Sequence, residues 1–320
     1  MRMTTIIAAA LLVGAQATAQ TYPEREVELL VNYGSGGSVD RMARSVQPYL
    51  PDALGSGVIV ENIGGAGGKV GLGQFMEREA DGYTVLTAFA PATTYVKHTT
   101  PGMFEMDDLA VINVQWIDPA VLIASTSTGW TTLGEAIEAI RAAPGEYTFG
   151  SSGAGSVGPV LTEALFSSLD LDVKIVPYSG GGEARRAFLS GEVDLTAAGV
   201  KGADSVKDAA VPLALFWEES DPAWPEAPTI ATALEGYDVD APIGGAYRFF
   251  AVKSELKENH PERFDALVEA FRATVQDNAA FKTSADEAGV GTLWTGPEKG
   301  QAMIERADTY FSKLLADGDK

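Results

Sequence analysis

Short apolar runs alternate along this chain with segments of helical spacing, and glycine-rich polar turns separate them. Residues 27–31 read as a buried strand, 40–50 as a helix ending before Pro51, 58–60 as a second strand, 69–78 as a helix and 83–88 as a third strand. A β-α-β-α-β order predicts a parallel sheet with helices on both faces. The apolar stretch 111–124 is expected to break at Asp118-Pro119. Helix 133–142, strand 147–149, helix 160–167, strand 173–176, helix 184–189 and strand 193–197 then repeat the α/β theme. Prolines at 222, 225 and 228 mark an irregular connection, and 261–279 (opening on Pro261) and 299–315 read as terminal helices. A length of 320 residues suggests two domains facing each other across a cleft.

Three of the strand-to-helix junctions share one composition. Residues 27–33 run into Gly34-Ser35-Gly36-Gly37-Ser38, 147–149 into 150–156, and 173–178 into Ser179-Gly180-Gly181-Gly182. A glycine turn lets backbone N–H groups at a helix N-terminus converge on one ligand, and the helix dipole adds to their preference for an anion. Tyr33 and Tyr178 each end a strand at such a turn and could wall a pocket or pack against the following helix. Asp40 is placed either to contact ligand or to sit as a dipole-favoured residue of the first helical turn. Arg185 and Arg186 follow the third turn, where one could reach a carboxylate, though a solvated helix face is the commoner use of such a pair.

Residues 1–19 read as a cleavable secretory leader, with Arg2 as the positive n-region, 6–13 as the apolar core and Ala17-Thr18-Ala19 as the cleavage site. The apolar run is far below the ~20 residues that span a bilayer, and no later stretch is long enough. The expected location is therefore the periplasm, without direct membrane insertion after cleavage. The chain has no cysteine, which removes disulfides, thiol nucleophiles, thiolate metal sites and attachment through a lipidated cysteine. A net charge of −21 argues against nucleic-acid or anionic-membrane partners. It does not bar an anionic ligand, since exposed charges beyond ~8 Å are largely screened at physiological salt.

Enzymatic readings are weaker. Gly34-x-Gly36 lacks the third glycine of a dinucleotide fingerprint because Val39 stands there, and Gly153-x-Gly155-x-x-Gly158 has no acidic residue ending the next strand. An exported serine hydrolase using Ser152 or Ser156 is the alternative function. Neither serine completes G-x-S-x-G, and a Ser156, Asp194, His260 triad exists only as an order along the chain. Two isolated histidines and no cysteine cannot form a zinc site without carboxylates. No catalytic residue, metal or cofactor is expected.

The same motifs resemble the extracytoplasmic substrate-binding proteins of tripartite tricarboxylate transporters, the Bug family, over most of the chain after the leader. Gly36-Gly37-Ser38-Val39-Asp40-Arg41-Met42-Ala43-Arg44 is similar to the family's GGxxDxxAR turn, and Val60-Glu61-Asn62 with Gly65-Ala66-Gly67-Gly68 to its VEN-x-x-GAGG segment. Asp81-Gly82-Tyr83-Thr84, Ser151-Ser152-Gly153-Ala154-Gly155-Ser156, Val176-Pro177-Tyr178-Ser179-Gly180-Gly181 through Asp194, and Ala227-Pro228-Thr229 with Gly236-Tyr237 continue the resemblance in order. The resemblance implies an α/β, two-domain type II periplasmic-binding-protein fold with a ligand cleft between domains and crossing strands joining them. It puts 20–120 plus 236–320 in domain one and 121–235 in domain two. It implies a monomeric receptor that captures a small carboxylate and hands it to membrane permease subunits. The ligand-binding residues it carries over are Tyr33, Ser35, Gly36, Gly37, Ser38 and Asp40 from the first domain, and Ser152, Gly155, Ser156, Tyr178, Ser179 and Gly180 from the second. Pro159 replaces a frequent His, Ser179 replaces a usual Lys, and Phe216-Trp217-Glu218-Glu219 replaces an often basic segment. Fewer basic groups favour a monocarboxylate or partly apolar acid over a citrate-like one.

Overall fold

A computed structural model describes residues 22–318 except Ala154, so the leader expected at 1–19 lies outside the described residues. The strands are β1 (Val27–Val31), β2 (Val58–Asn62), β3 (Thr84–Ala90), β4 (Leu109–Ser125), β5 (Thr148–Ser151), β6 (Lys174–Pro177), β7 (Leu195–Gly199), β8 (Ala210–Leu215) and β9 (Gly245–Lys253). They lie in the order β2-β1-β3-β9-β4-β7-β5-β6, with β8 also paired to β4. β1 runs parallel to β2 and β3, as the β-α-β-α-β pattern predicts, and β5 runs parallel to β6 and β7.

β4 joins the two halves. Its residues from Leu109 to Pro119 pair antiparallel with β9, and those from Ala120 onward pair with β7 and β8. The expected break at Asp118-Pro119 is thus corrected: the strand runs straight through. Pro119 sits where the β9 ladder ends, so its missing N–H interrupts no central pairing. β4 is buried along nearly its whole length, which accounts for its continuous apolar run.

The helices that shape the cleft are α1 (Ser38–Val46), α2 (Leu50–Leu54), α3 (Lys69–Glu77), α4 (Ala92–Thr99), α5 (Leu133–Ala142), α6 (Val157–Ser168), α7 (Gly181–Leu189) and α8 (Val200–Ala203). The single helix expected over 40–50 is two: α1 stops near Pro48, and α2 starts at Leu50 with Pro51 in its first turn. α5 matches its expected bounds. It buries Leu133, Ala136, Ile137 and Ile140, the spacing of one helical face, and Thr132 Oγ1 accepts the Glu135 N–H at its start. Each of those isoleucines contributes about 1.5–3 kcal/mol by leaving water.

The expected helix over 261–279 ends at Arg272, continues as a π-helical turn over Ala273–Asp277 and restarts at Ala279. Asn278 explains the restart, since its Oδ1 accepts the Phe281 N–H at 3.0 Å. The chain closes on a long helix over Gly296–Gly318 that packs against β4, α4 and α6.

Separate apolar clusters cover the sheet. One gathers α1, β1 and the 261–287 segment around Phe250 and Phe271, and another packs α7 and α8 around Phe188 and Trp224 in the second half. Among the described residues no helix is long and apolar enough to cross a membrane.

Candidate functional site: glycine turns around a buried arginine

The first turn follows β1. Tyr33 is held by its ring against Phe89, 5.2 Å between centroids, and its hydroxyl donates to the Gly67 carbonyl at 2.7 Å. Burial pushes its phenol well above the ordinary value, so it stays protonated. Asp40 is 2% exposed, with Oδ2 accepting the Gly36 N–H at 2.8 Å and Oδ1 accepting Arg44 Nε at 2.9 Å. Burial would raise this carboxyl, but those hydrogen bonds together with Asn62 outweigh it and hold the group below its usual range. Asp40 therefore shapes the turn from beneath. Ser35 and Gly37 are exposed, and no side chain caps α1, which starts after Gly37 at Ser38.

The second and third turns lie side by side. The Tyr178 N–H donates to the Ser151 carbonyl at 2.9 Å, and a Cβ on Gly181 would touch Ser152. Ser156 is the N-cap residue of α6, yet its hydroxyl donates to the Ser152 carbonyl at 3.2 Å and leaves the helix N–H groups uncapped. Gly155 has φ +75 and lies against Tyr95 of α4, where the second turn meets the first half of the molecule. In the third turn, Ser179 gives both its N–H and its hydroxyl to Glu183 Oε2, at 3.2 and 2.6 Å. Gly180 caps α7 by position, and the Tyr178 hydroxyl donates to Glu192 at 2.9 Å.

The sequence-based expectations did not include the side chains that bridge the halves. Arg248 on β9 is 7% exposed and stands opposite Phe89 in the β3–β9 pairing. Its Nε donates to Ser38 Oγ at 2.9 Å, its Nη2 to Asp118 Oδ2 at 3.3 Å, and its guanidinium lies 4.0 Å from the Trp116 ring centroid. Asp118 Oδ1 accepts the Lys201 N–H at 3.3 Å, and a Cβ on Gly199 would collide with the same carboxylate. A chain of polar contacts thus runs from the first turn to the start of α8 in the second half. Burial pushes the Asp118 carboxyl above its ordinary value, against the pull of Arg248 and the Lys201 N–H. Nη1 of Arg248 is buried with no partner, as are the hydroxyls of Thr93 and Thr94 in the first turn of α4. One signal could have found the pair: each is the single charged residue in the interior of its strand.

The triad order Ser156, Asp194, His260 is not assembled. The Asp194 carboxylate is taken by Thr148, through its N–H at 2.8 Å and its hydroxyl at 2.7 Å, and His260 faces Glu262 at 3.8 Å. Among the described residues no cluster of His, Asp and Glu could hold a metal. A cavity of about 270 Å³ lined by Trp217, Tyr247, Met303, Arg306 and Tyr310 includes none of the glycine-turn residues.

Two α/β halves joined through β4 make a bilobal fold of the kind seen in periplasmic binding proteins. Residues 42–304 match the tripartite tricarboxylate transporter family receptor, TctC, and the chain belongs to that family. It is 32% identical to protein BugT of Bordetella pertussis over 57% of this chain, and the match spans 56% of BugT's length. Among solved structures it resembles an R. palustris protein with adipate, at TM-score 0.74 and 22% identity over 92% of this chain and 97% of that one. It also resembles MatC of Rhodopseudomonas palustris with bound malate, at TM-score 0.73 and 20% identity over 92% of this chain and all of the other.

Proposed function

We propose that this chain is a periplasmic receptor that closes its two lobes on a small carboxylate and delivers it to the permease of a tripartite transporter. The carrying observation is the pair of uncapped helices, α1 and α6, that enter from glycine turns on opposite sides of the junction. Adipate and malate in structural relatives support a small organic acid as the ligand. The change of β4 pairing at Ala120 supports a division into 20–120 plus 236–320 and 121–235.

In this reading the ligand carboxylate meets N–H groups of α1 in one lobe and of α6 in the other, so binding favours the closed form by bridging them. Each helix terminus supplies up to ~2 kcal/mol in a partly buried site. Micromolar affinity needs about 8 kcal/mol, so hydroxyls and pocket packing must add to the two termini. Gly37, Ser38, Ser152 and Gly155 are the contacts best placed for this; Asp40 and Tyr33 hold the first turn in shape, Ser156 gives its N–H and hydroxyl to the Gly153 and Ser152 carbonyls, and Glu183 occupies Ser179. A thermal-shift screen of the leaderless protein against small carboxylates tests the reading. At 100 times Kd a ligand stabilises the fold by ~2.7 kcal/mol, a rise of several degrees for this size. Delivery to a permease is tested by uptake of the identified acid in cells, which must fail when the receptor is deleted and return when it is restored.

A further inference from the structure

Arg248 is the least expected side chain in the junction. A guanidinium buried at 7% exposure is held there by three contacts: Ser38 Oγ, Asp118 and the face of Trp116. Those contacts use Nε, Nη2 and the ring face, and they fix the plane of the group. They leave Nη1 buried without an acceptor. A charged donor left unpaired in a low-dielectric setting is costly, so such groups in native proteins find an acceptor. The contact through Nε is to the first residue of α1, so the guanidinium stands beside the N–H groups at that helix start. Arg41, whose guanidinium lies 5.7 Å from the Trp116 ring centroid on its exposed side chain, adds positive charge nearby. The region next to Ser38 is thus locally cationic in a chain of net charge −21.

We propose that Arg248 is the charged partner of the ligand, its Nη1 donating to a carboxylate oxygen that the N–H groups of α1 hold from the other side. This rests on the carboxylate-receptor reading above and adds to it a residue that selects for ionised ligand. Asp118 has a defined part: it is the internal counter-ion, keeping the guanidinium buried and oriented when the site is open and weakening its pull on the ligand. Selection comes from this asymmetry, because a neutral amide of the same shape can accept from Nη1 but brings no charge to set against the guanidinium.

The test is a two-way comparison read by calorimetry. Malate, adipate, succinate and benzoate, each paired with its neutral amide (the diamide for the three diacids), are titrated into wild type, Arg248→Met, Arg248→Lys and Asp118→Asn. Wild type should prefer the bound acid over its amide by about 10- to 100-fold, the range for a charge-assisted hydrogen bond. In Arg248→Met that preference should collapse to within about threefold, because the acid loses a charge-assisted hydrogen bond and the amide only a weaker one, and Arg248→Lys should restore part of it. Equal acid-to-amide preference in wild type and Arg248→Met overturns the role of Arg248 while leaving the receptor reading intact. If Arg248→Met does not fold, Asp118→Asn decides: removing the counter-ion should raise the preference for acid about threefold or more, and an unchanged preference overturns the proposal. Binding of none of the four acids by wild type would remove the carboxylate reading and this inference with it.

Discussion

In the second glycine turn the Ser156 hydroxyl turns back to the Ser152 carbonyl, and the N–H groups that open α6 are left without a side-chain partner. In the third turn the chain's own Glu183 takes the N–H and the hydroxyl of Ser179. Both turns carry glycine, serine and a following helix, and they lie side by side. The difference is one acidic side chain, Glu183, the third residue of α7. A glycine turn before a helix is an anion site only where the chain has not filled it with its own carboxylate. The first turn is intermediate: Asp40 takes the Gly36 N–H but leaves α1 uncapped by any side chain.

The strongest way to break this comparison is to close the second turn. A valine at Gly155 would press on Tyr95, with Cβ about 3.1 Å away, and would have to adopt φ +75. Gly155→Val should lower ligand affinity by more than about 100-fold, equivalent to ~2.7 kcal/mol, and cost ~1–2 kcal/mol of stability through the left-handed backbone. Gly37→Ala is the matched control, since φ is −72 there and its Cβ would meet only the Gly34 carbonyl at 3.6 Å. It should melt within about a degree of wild type, so any affinity it loses belongs to the site.

Asp40 sharpens the contrast from below. Asp40→Asn should destabilise the protein by ~1–3 kcal/mol at pH 7, as expected when a buried charge-assisted hydrogen bond is weakened. The sign with pH follows from its depressed carboxyl. The contribution is fully present above the unfolded value of about 3.8 and is lost as pH falls through the lower folded value. Urea melts of wild type and Asp40→Asn should therefore converge as pH drops below about 4.

The smallest effects separate the two neighbouring turns. Ser152→Ala should weaken ligand binding by roughly 3- to 10-fold, the value of one neutral hydrogen bond, whereas Ser156→Ala should change it less than about twofold, because that hydroxyl already donates to the Ser152 carbonyl. Ser179→Ala should change affinity less than about twofold, because Glu183 already occupies that hydroxyl, and should instead loosen the start of α7 by about 0.5–1 kcal/mol. Calorimetry and melting curves on the three variants settle which turn binds.

How much of this was legible in the sequence differs between the turns and the strands that join them. The turns were visible because glycine, serine and the flanking apolar runs are local signals. β1 and α5 fell at their expected bounds for the same reason. β9 went unpredicted because it is made by non-local pairing with β3 and β4, and Arg248 interrupts its apolar run. α4 was also missed; its threonines are weak helix formers, and what buries Thr93 and Thr94 is tertiary packing. The break expected at Asp118-Pro119 came from reading a proline and a charge as a turn. The structure uses them at the seam, where Pro119 ends one ladder and Asp118 meets Arg248. Glu183 was in plain view, but nothing local says whether a carboxylate at that position faces solvent or folds back on the turn.

The most direct test of the central claim is a crystal structure of the protein with the tightest-binding acid from the carboxylate series. The account predicts a carboxylate between the lobes, with oxygens about 2.7–3.2 Å from N–H groups at the starts of both α1 and α6. A ligand seated instead in the aromatic cavity lined by Trp217, Tyr247 and Tyr310, away from both turns, would contradict it.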